Sequence, residues 1–525
     1  MEPYYAGALS ILPPIIAVVL ALITKEVFSS LLLGILTGSL IYTIGSGSDM
    51  VIVSTVENTF KIMVDKVDFN IILFCSLLGA LVYVISMAGG SRAYGKWAAK
   101  KIKGRRSALL STSALGAFIF IDDYFNCLTV GTVMRPITDT YRISRAKLAY
   151  IIDATAAPIC IIAPISSWAA AVGSNLKSTG AFESEMEAFV STIPWNFYAL
   201  LCIIMVIMVS VGNFDFGPMR RSEIAAINGE SSNNNEKTDD DAPTIHAQGT
   251  VLDMVVPILA LIVFATLSLL YCGGYWGEDP AYHTIAAAFG NTSAGPALVI
   301  ASFAALLVAF IQFVGRRLLT LKTFMQGVIK GVQAMIPANM ILVLAWAISG
   351  ICRDLLETQV FIGSLVQNDA GLAGNLMPAI IFAIASFLSF STGTAWGTFG
   401  ILIPIVVTVA QAIAPSGELT IIALSATLAG SVFGDHCSPI SDTTILSSAG
   451  SGCVHIEHVS TQLPYACITA ISAFIGYVIA GLTLSLPLSL GSAIVVMVIS
   501  LTYLHLHNSK RESIHDHYKK ATQEQ

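Results

Sequence analysis

Charge is what this sequence has least of. Lys, Arg, Asp and Glu make up 11% of its 525 residues, against about 25% in an ordinary soluble domain. A soluble chain of this length could not cover its surface with so few charges, which excludes a soluble enzyme and a disordered scaffold. Long basic stripes are missing too and the formal charge is −6, so nothing tracks the phosphates of a nucleic acid and no nucleic-acid partner is expected. The nine cysteines contain no Cys-x-x-Cys pair. Their number is odd and most lie in or beside apolar runs, so they read as small buried apolar residues rather than disulfides or structural metal ligands. There is no Walker loop, no His-Glu-x-x-His and no nucleophile with a placed base. Neither an enzyme nor a cofactor is expected. Met1-Glu2-Pro3 lacks the positive region of a signal peptide, so the first apolar stretch is expected to remain as a membrane helix.

What the chain does have is apolar length. Hydrophobic residues make up 55% of it and the mean hydropathy is +0.76, the profile of an all-α polytopic membrane protein in a lipid bilayer. Runs long enough to span lie near 7–23, 27–46, 70–90, 194–212, 252–272, 296–315, 325–350, 463–485 and 488–506. Four more, near 108–137, 148–176, 376–407 and 419–450, are cut by Pro, Gly, Ser, Thr or Asp. Residues 213–250, with Ser231-Ser232-Asn233-Asn234-Asn235 and Asp239-Asp240-Asp241, read as a cytoplasmic polar linker. Its composition is that of a disordered segment. Residues 507–525 read as a cytoplasmic charged tail.

The two halves resemble each other. Ile85-Ser86, Gly131-Thr132, Pro136-Ile137 and Pro164-Ile165-Ser166 recur in the same order as Ile348-Ser349, Gly397-Thr398, Pro404-Ile405 and Pro439-Ile440-Ser441. The first repeat is expected over 70–212, with 108–137 and the broken helix 148–176. The second is expected over 325–485, with 376–407 and the broken helix 419–450. Arg92, Lys96, Lys100, Lys101, Lys103, Arg105 and Arg106 follow the first Ile-Ser, whereas only Arg353 follows the second before residue 376. The positive-inside rule therefore inverts the repeats. The parity closes with about eleven transmembrane helices if 108–137 and 376–407 are re-entrant hairpins. The N-terminus is then outside and the C-terminus, with Lys510, Arg511, Lys519 and Lys520, is inside. Inverted repeats with broken helices are a sign of secondary transporters.

The breaks carry the chemistry. Asp122-Asp123-Tyr124-Phe125-Asn126 sits in the middle of the first hairpin. Each acid there would cost ~2.5–3.5 kcal/mol near the bilayer centre unless it faces protein or water; the alternative is the exposed tip of a loop. Asp153-Ala154-Thr155 opens the first broken helix, ahead of Pro158, Pro164, Ser166, Ser167 and Trp168. An isolated intramembrane acid is a functional-site candidate, though Asp153 could instead pair with Lys147 or cap a half-helix. Prolines free backbone carbonyls, and with Ser and Thr hydroxyls these are hard oxygen ligands for a small cation. Ser391-Thr392-Gly393-Thr394 at the second hairpin turn offers the same oxygens, or packs helices. Gly434-Asp435-His436-Cys437-Ser438-Pro439-Ile440-Ser441-Asp442-Thr443-Thr444 is the densest polar run within any apolar region. A carboxylate there holds a cation or a proton but not both, which is the chemistry of an exchanger. His436 titrates near neutral pH in the ordinary case. A zinc site at 435–437 is rejected, because consecutive helical residues point apart.

The run 434–444 resembles the signature of the NhaC-type sodium/proton antiporters, within a wider ion-transporter superfamily. Phe120-Ile121-Asp122-Asp123-Tyr124-Phe125-Asn126 and Ser391-Thr392-Gly393-Thr394-Ala395-Trp396-Gly397-Thr398 are similar to other polar segments of that family. So is Leu12-Pro13-Pro14-Ile15-Ile16-Ala17 with Leu22-Ile23-Thr24-Lys25-Glu26-Val27. The resemblance implies a scaffold domain (1–69 and 251–324) and an elevator-type transport domain built on 108–176 and 376–450, with 486–506 as the last helix. It implies exchange of sodium ions for protons in a bacterial cytoplasmic membrane, by a homodimer on analogy. The alternative is a sodium- or proton-coupled carrier of a small organic acid or amino acid. The residues expected to bind ion or substrate are Asp122, Asp123, Asn126, Asp153, Thr155, Ser166, Ser167, Thr392, Thr394, Asp435, His436, Ser438, Asp442 and Thr443. Asp153 and Asp435 are the expected sodium ligands.

Overall fold

Long apolar runs in a bilayer must satisfy their own backbone hydrogen bonds, which leaves this chain little but helix, and helix is what forms. The structure, a computed structural model, describes all residues except 1, 25, 121–122, 165, 180–184, 213, 230–248, 359, 362–373, 414–417 and 509–525. Three helices come first: α1 (Leu12–Thr24), α2 (Val27–Gly45) and α3 (Val51–Lys66). Then follow α4 (Phe69–Met87) and α5 (Gly90–Lys101). The first hairpin is α6 (Arg105–Phe118) and α7 (Asp123–Thr140). The first broken helix is α8 (Arg145–Ala154), α9 (Ala157–Cys160) and α10 (Ser167–Thr179). After α11 (Glu185–Thr192) come α12 (Phe197–Gly212) and α13 (Gly217–Asn228). The second half has α14 (Leu252–Cys272), α15 (Ile285–Asn291), α16 (Ala294–Gly315) and α17 (Leu321–Gly350). Its hairpin is α18 (Met377–Thr392) and α19 (Ala395–Ile413), and its broken helix is α20 (Glu418–Cys437) and α21 (Asp442–Ser451). The chain closes with α22 (His455–Thr483) and α23 (Leu486–Asn508).

Among the described residues, ten helices are long and apolar enough to cross a membrane. The chain is a multi-pass helical membrane protein. A bilayer must cover its outer face. On α14 Leu259, Val263 and Leu267 stand exposed at every fourth position, and on α16 so do Phe303, Leu307 and Ile311. The opposite face of α16 is a row of fully buried small residues, Ala301, Ala305 and Ala309, which lets a neighbouring helix approach closely.

Both hairpins turn where the sequence breaks. Gly393 ends α18 with φ +68°, a left-handed conformation that suits glycine. A Cβ there would stand 2.5 Å from the Ile440 carbonyl, so this turn lies directly on the second helix break. The two halves meet at Gly131 of α7 and Gly450, where an added Cβ on Gly131 would stand 2.4 Å from backbone.

The ends of the helices sort into two groups. Asp253 pairs with Arg316 beside Gly90. At the other end of α17, Lys66 pairs with Asp354 at 2.7 Å and Tyr4 donates to the Leu355 carbonyl at 2.8 Å.

The linker expectation needs correcting at its start. Residues 217–228 are helical, and Glu223 is 1% exposed. Glu223 pairs with buried Arg105 and accepts from the Ser144 amide at 2.7 Å. Just upstream, buried Asp215 pairs with Lys147 and accepts from the Tyr465 hydroxyl at 2.8 Å. A composition average over 213–250 hid these two acids among the many that follow.

Candidate functional site

Each half places its hairpin turn on its own helix break. In the first, Asn126 Nδ2 donates to the carbonyls of Gly116 and Ile119, both at 2.7 Å, and of Thr155 at 3.1 Å. In the second, Ser438 Oγ donates to the Phe390 carbonyl at 2.8 Å. The breaks arise because Thr155–Ala156 and Ser438–Ser441 leave the helical conformation, with Pro158 and Pro439 unable to donate a backbone N–H.

Four acids from these elements gather there. Asp153, near the end of α8, is fully buried. Its Oδ2 accepts from Gln462 Nε2 at 2.7 Å, His458 Nε2 at 3.2 Å and Thr444 Oγ1 at 3.3 Å. Its Oδ1 has no hydrogen-bond partner among the described residues. Asp435 is buried on α20, hydrogen-bonded by Ser441, and has Asp442, Asp123 and Asp153 as charged neighbours. Asp442 Oδ2 accepts from the Tyr124 hydroxyl at 2.8 Å and from Trp346 Nε1 of α17 at 3.1 Å. Asp123 is buried at the start of α7. In a medium of low dielectric, several ionised carboxylates so close repel one another unless cations or protons join them. Among the described residues no three of His, Cys, Asp and Glu converge as they do in a resident metal site.

The remaining expected residues divide. Asp122 lies outside the described residues, and Ser167 begins α10. Thr155 and Thr443 stand at the breaks: Thr155 Oγ1 donates to the Ile151 carbonyl at 2.7 Å, and Thr443 meets Ser441 at 3.0 Å. Ser166 caps locally, donating to the Cys160 carbonyl at 2.8 Å and accepting from the Ala169 amide at 3.1 Å. Thr392 and Thr394 line a separate small cavity with Ser349, Arg353 and Thr358. His436 turns away from Asp435, as adjacent helical residues must, and its Nδ1 meets the Tyr198 hydroxyl at 2.7 Å. Lys147 pairs with Asp215, not with Asp153.

Sequence reasoning missed His458, Gln462 and Trp346. The first two fell just before the apolar run expected from 463, yet α22 begins at His455. A signal was present: His458 and Gln462 are four apart, hence on one helical face.

Two breaks facing two hairpin turns, with acids between them, are the architecture of a secondary membrane transporter. The profile of the Na+/H+ antiporter family matches residues 169–482, and the chain belongs to that family. It is similar to an uncharacterized protein of Haemophilus influenzae, 39% identical over 485 residues and covering 91% of each chain. A malate-2H(+)/Na(+)-lactate antiporter of Bacillus subtilis is 32% identical over 162 residues, 29% of this chain and 32% of that one. An uncharacterized Na(+)/H(+) antiporter of Haemophilus influenzae is 35% identical over 111 residues, 20% of this chain and 23% of that one.

Proposed function

We propose that the protein exchanges sodium ions for protons across a bacterial cytoplasmic membrane. The observation that carries this reading is the buried Asp153 carboxylate, with one oxygen unpartnered among the described residues and Asp123, Asp435 and Asp442 close by. In one direction Asp153 and Asp435 hold sodium, with hydroxyls and carbonyls of the breaks replacing its water. In the other the same acids carry protons, so either load excludes the other. The hairpins and broken helices move as an elevator-type unit against a scaffold that includes α1–α3, α14 and α16, and a homodimer forms through that scaffold. The N-terminus lies outside and the C-terminus inside, an arrangement supported by the basic run from Arg92 to Arg106, which the positive-inside rule places in the cytoplasm.

The test is purified protein in liposomes holding a pH dye. Sodium added alone should drive proton movement. Silence with sodium alone, but a response when malate, lactate or an amino acid joins it, would overturn sodium/proton exchange in favour of an organic-solute carrier.

A further inference from the structure

We infer that Gln462 binds the transported cation directly, through its side-chain oxygen, so that α22 supplies a wall of the site beyond the hairpins and broken helices. This deepens the cation-exchange reading and rests on it.

The argument starts from the orientation of the amide. Gln462 is fully buried. One end of its side chain faces two acceptors, Asp153 Oδ2 at 2.7 Å and the His436 carbonyl. Only the NH2 group can satisfy two acceptors, so the nitrogen must stand there. A flipped amide would set three acceptor oxygens against one another. The oxygen Oε1 is thereby forced to the other side, where it has no hydrogen-bond partner among the described residues.

The carboxylate it touches is polarised in the same way. Gln462, His458 and Thr444 all donate to Oδ2 of Asp153, and Oδ1 is left without a partner among the described residues. Two linked, fully buried side chains thus each keep one acceptor oxygen without a protein donor. Burying such an oxygen unpaired costs about 1–3 kcal/mol, more when it is charged. The three side-chain donors that reach Asp153 all stand on Oδ2. Both remaining oxygens are open to positive charge, and two oxygens, one anionic and one neutral, are the hard ligands a small alkali cation takes. The Asn126 amide repeats the device on the first break: three carbonyls hold its Nδ2, and Oδ1 has no partner among the described residues.

The experiment compares the unmutated protein with Gln462→Met and Gln462→Asn in the same liposomes, with sodium and then lithium as the driving ion. Methionine keeps the length and removes both the oxygen and the NH2 group that holds Asp153 Oδ2, so the ion ratio in the asparagine variant is what isolates the oxygen. Asparagine keeps the amide but withdraws it by one methylene. Gln462→Met should raise the KM for sodium at least tenfold while kcat changes less, and should abolish the sodium-dependent rise in melting temperature in detergent. Gln462→Asn should change the ratio of the lithium and sodium KM values, whereas a purely structural lesion would scale both alike. An unchanged sodium KM in Gln462→Met, or an unchanged ion ratio in a folded Gln462→Asn, overturns the assignment and leaves sodium/proton exchange standing. If the unmutated protein itself ignores sodium, it is the exchange reading that fails.

Discussion

Asp153 illustrates what one residue can do here. Its carboxylate is fully buried, yet three donors hold one oxygen and the other has no partner among the described residues. Asp153→Asn keeps the volume but removes the charge and one acceptor. Sodium-driven proton movement should fall by on the order of a hundredfold or more, a loss of two decades or about 2.8 kcal/mol of interaction with the ion. The amount of folded protein recovered in detergent should not change. Asp435→Asn should behave likewise, because Asp435 sits among the other three acids. Full exchange in both variants would remove these two acids from the site. Trp346→Phe takes away only one of two donors to Asp442 and should lower the exchange rate about tenfold or more, in line with roughly 1.5–3 kcal/mol for a hydrogen bond to a charged group. Initial rates at saturating sodium would read it.

Among elements, α13 has the clearest consequence. Glu223 ties it to Arg105 and to the Ser144 amide, while Asp215 holds Lys147 and Tyr465 just before it. Breaking a buried pair by neutralising one partner costs about 3–5 kcal/mol. Glu223→Gln and Asp215→Asn should each lower the melting temperature in detergent by several degrees. Asp240→Asn, in the polar run further along, should not. The helix contact at Gly131 makes a second prediction. Gly131→Ala puts a Cβ 2.4 Å from the backbone of Gly450 and must part α7 from α21. Overpacking of that kind costs about 1–3 kcal/mol, and thermal unfolding of the variant checks it. The broken helices themselves were legible in the sequence, since proline, glycine and acids interrupt apolar runs for a backbone reason that needs no partner. Helix α13 was not legible, because its stability comes from ion pairs with residues far away in the chain.

At the scale of the whole molecule, the orientation is testable. With the N-terminus outside, a cysteine at Gly47 should react with an impermeant thiol reagent added to intact cells. A cysteine at Lys101 should react only after the membrane is opened. The elevator reading adds an expectation for α17 and α21, which Trp346 and Asp442 join at 3.1 Å. A reversible cross-link between these helices should arrest exchange and reduction should restore it. Undiminished exchange in the cross-linked protein would show that the two helices do not part.

By itself the sequence determined the membrane class, the long helices, the two breaks and the acids on them. Each of these follows from local chemistry: length of apolar run, proline without a donor, charge in an apolar stretch. It also reached the family, through a polar run whose residues lie side by side in the chain. Tertiary structure alone decided which groups meet. His458 and Gln462 lie 305 and 309 residues from Asp153. Helical periodicity says which face a side chain is on but not which distant helix packs against that face. That choice, made by packing, sets three donors on one oxygen of Asp153 and none of the described donors on the other.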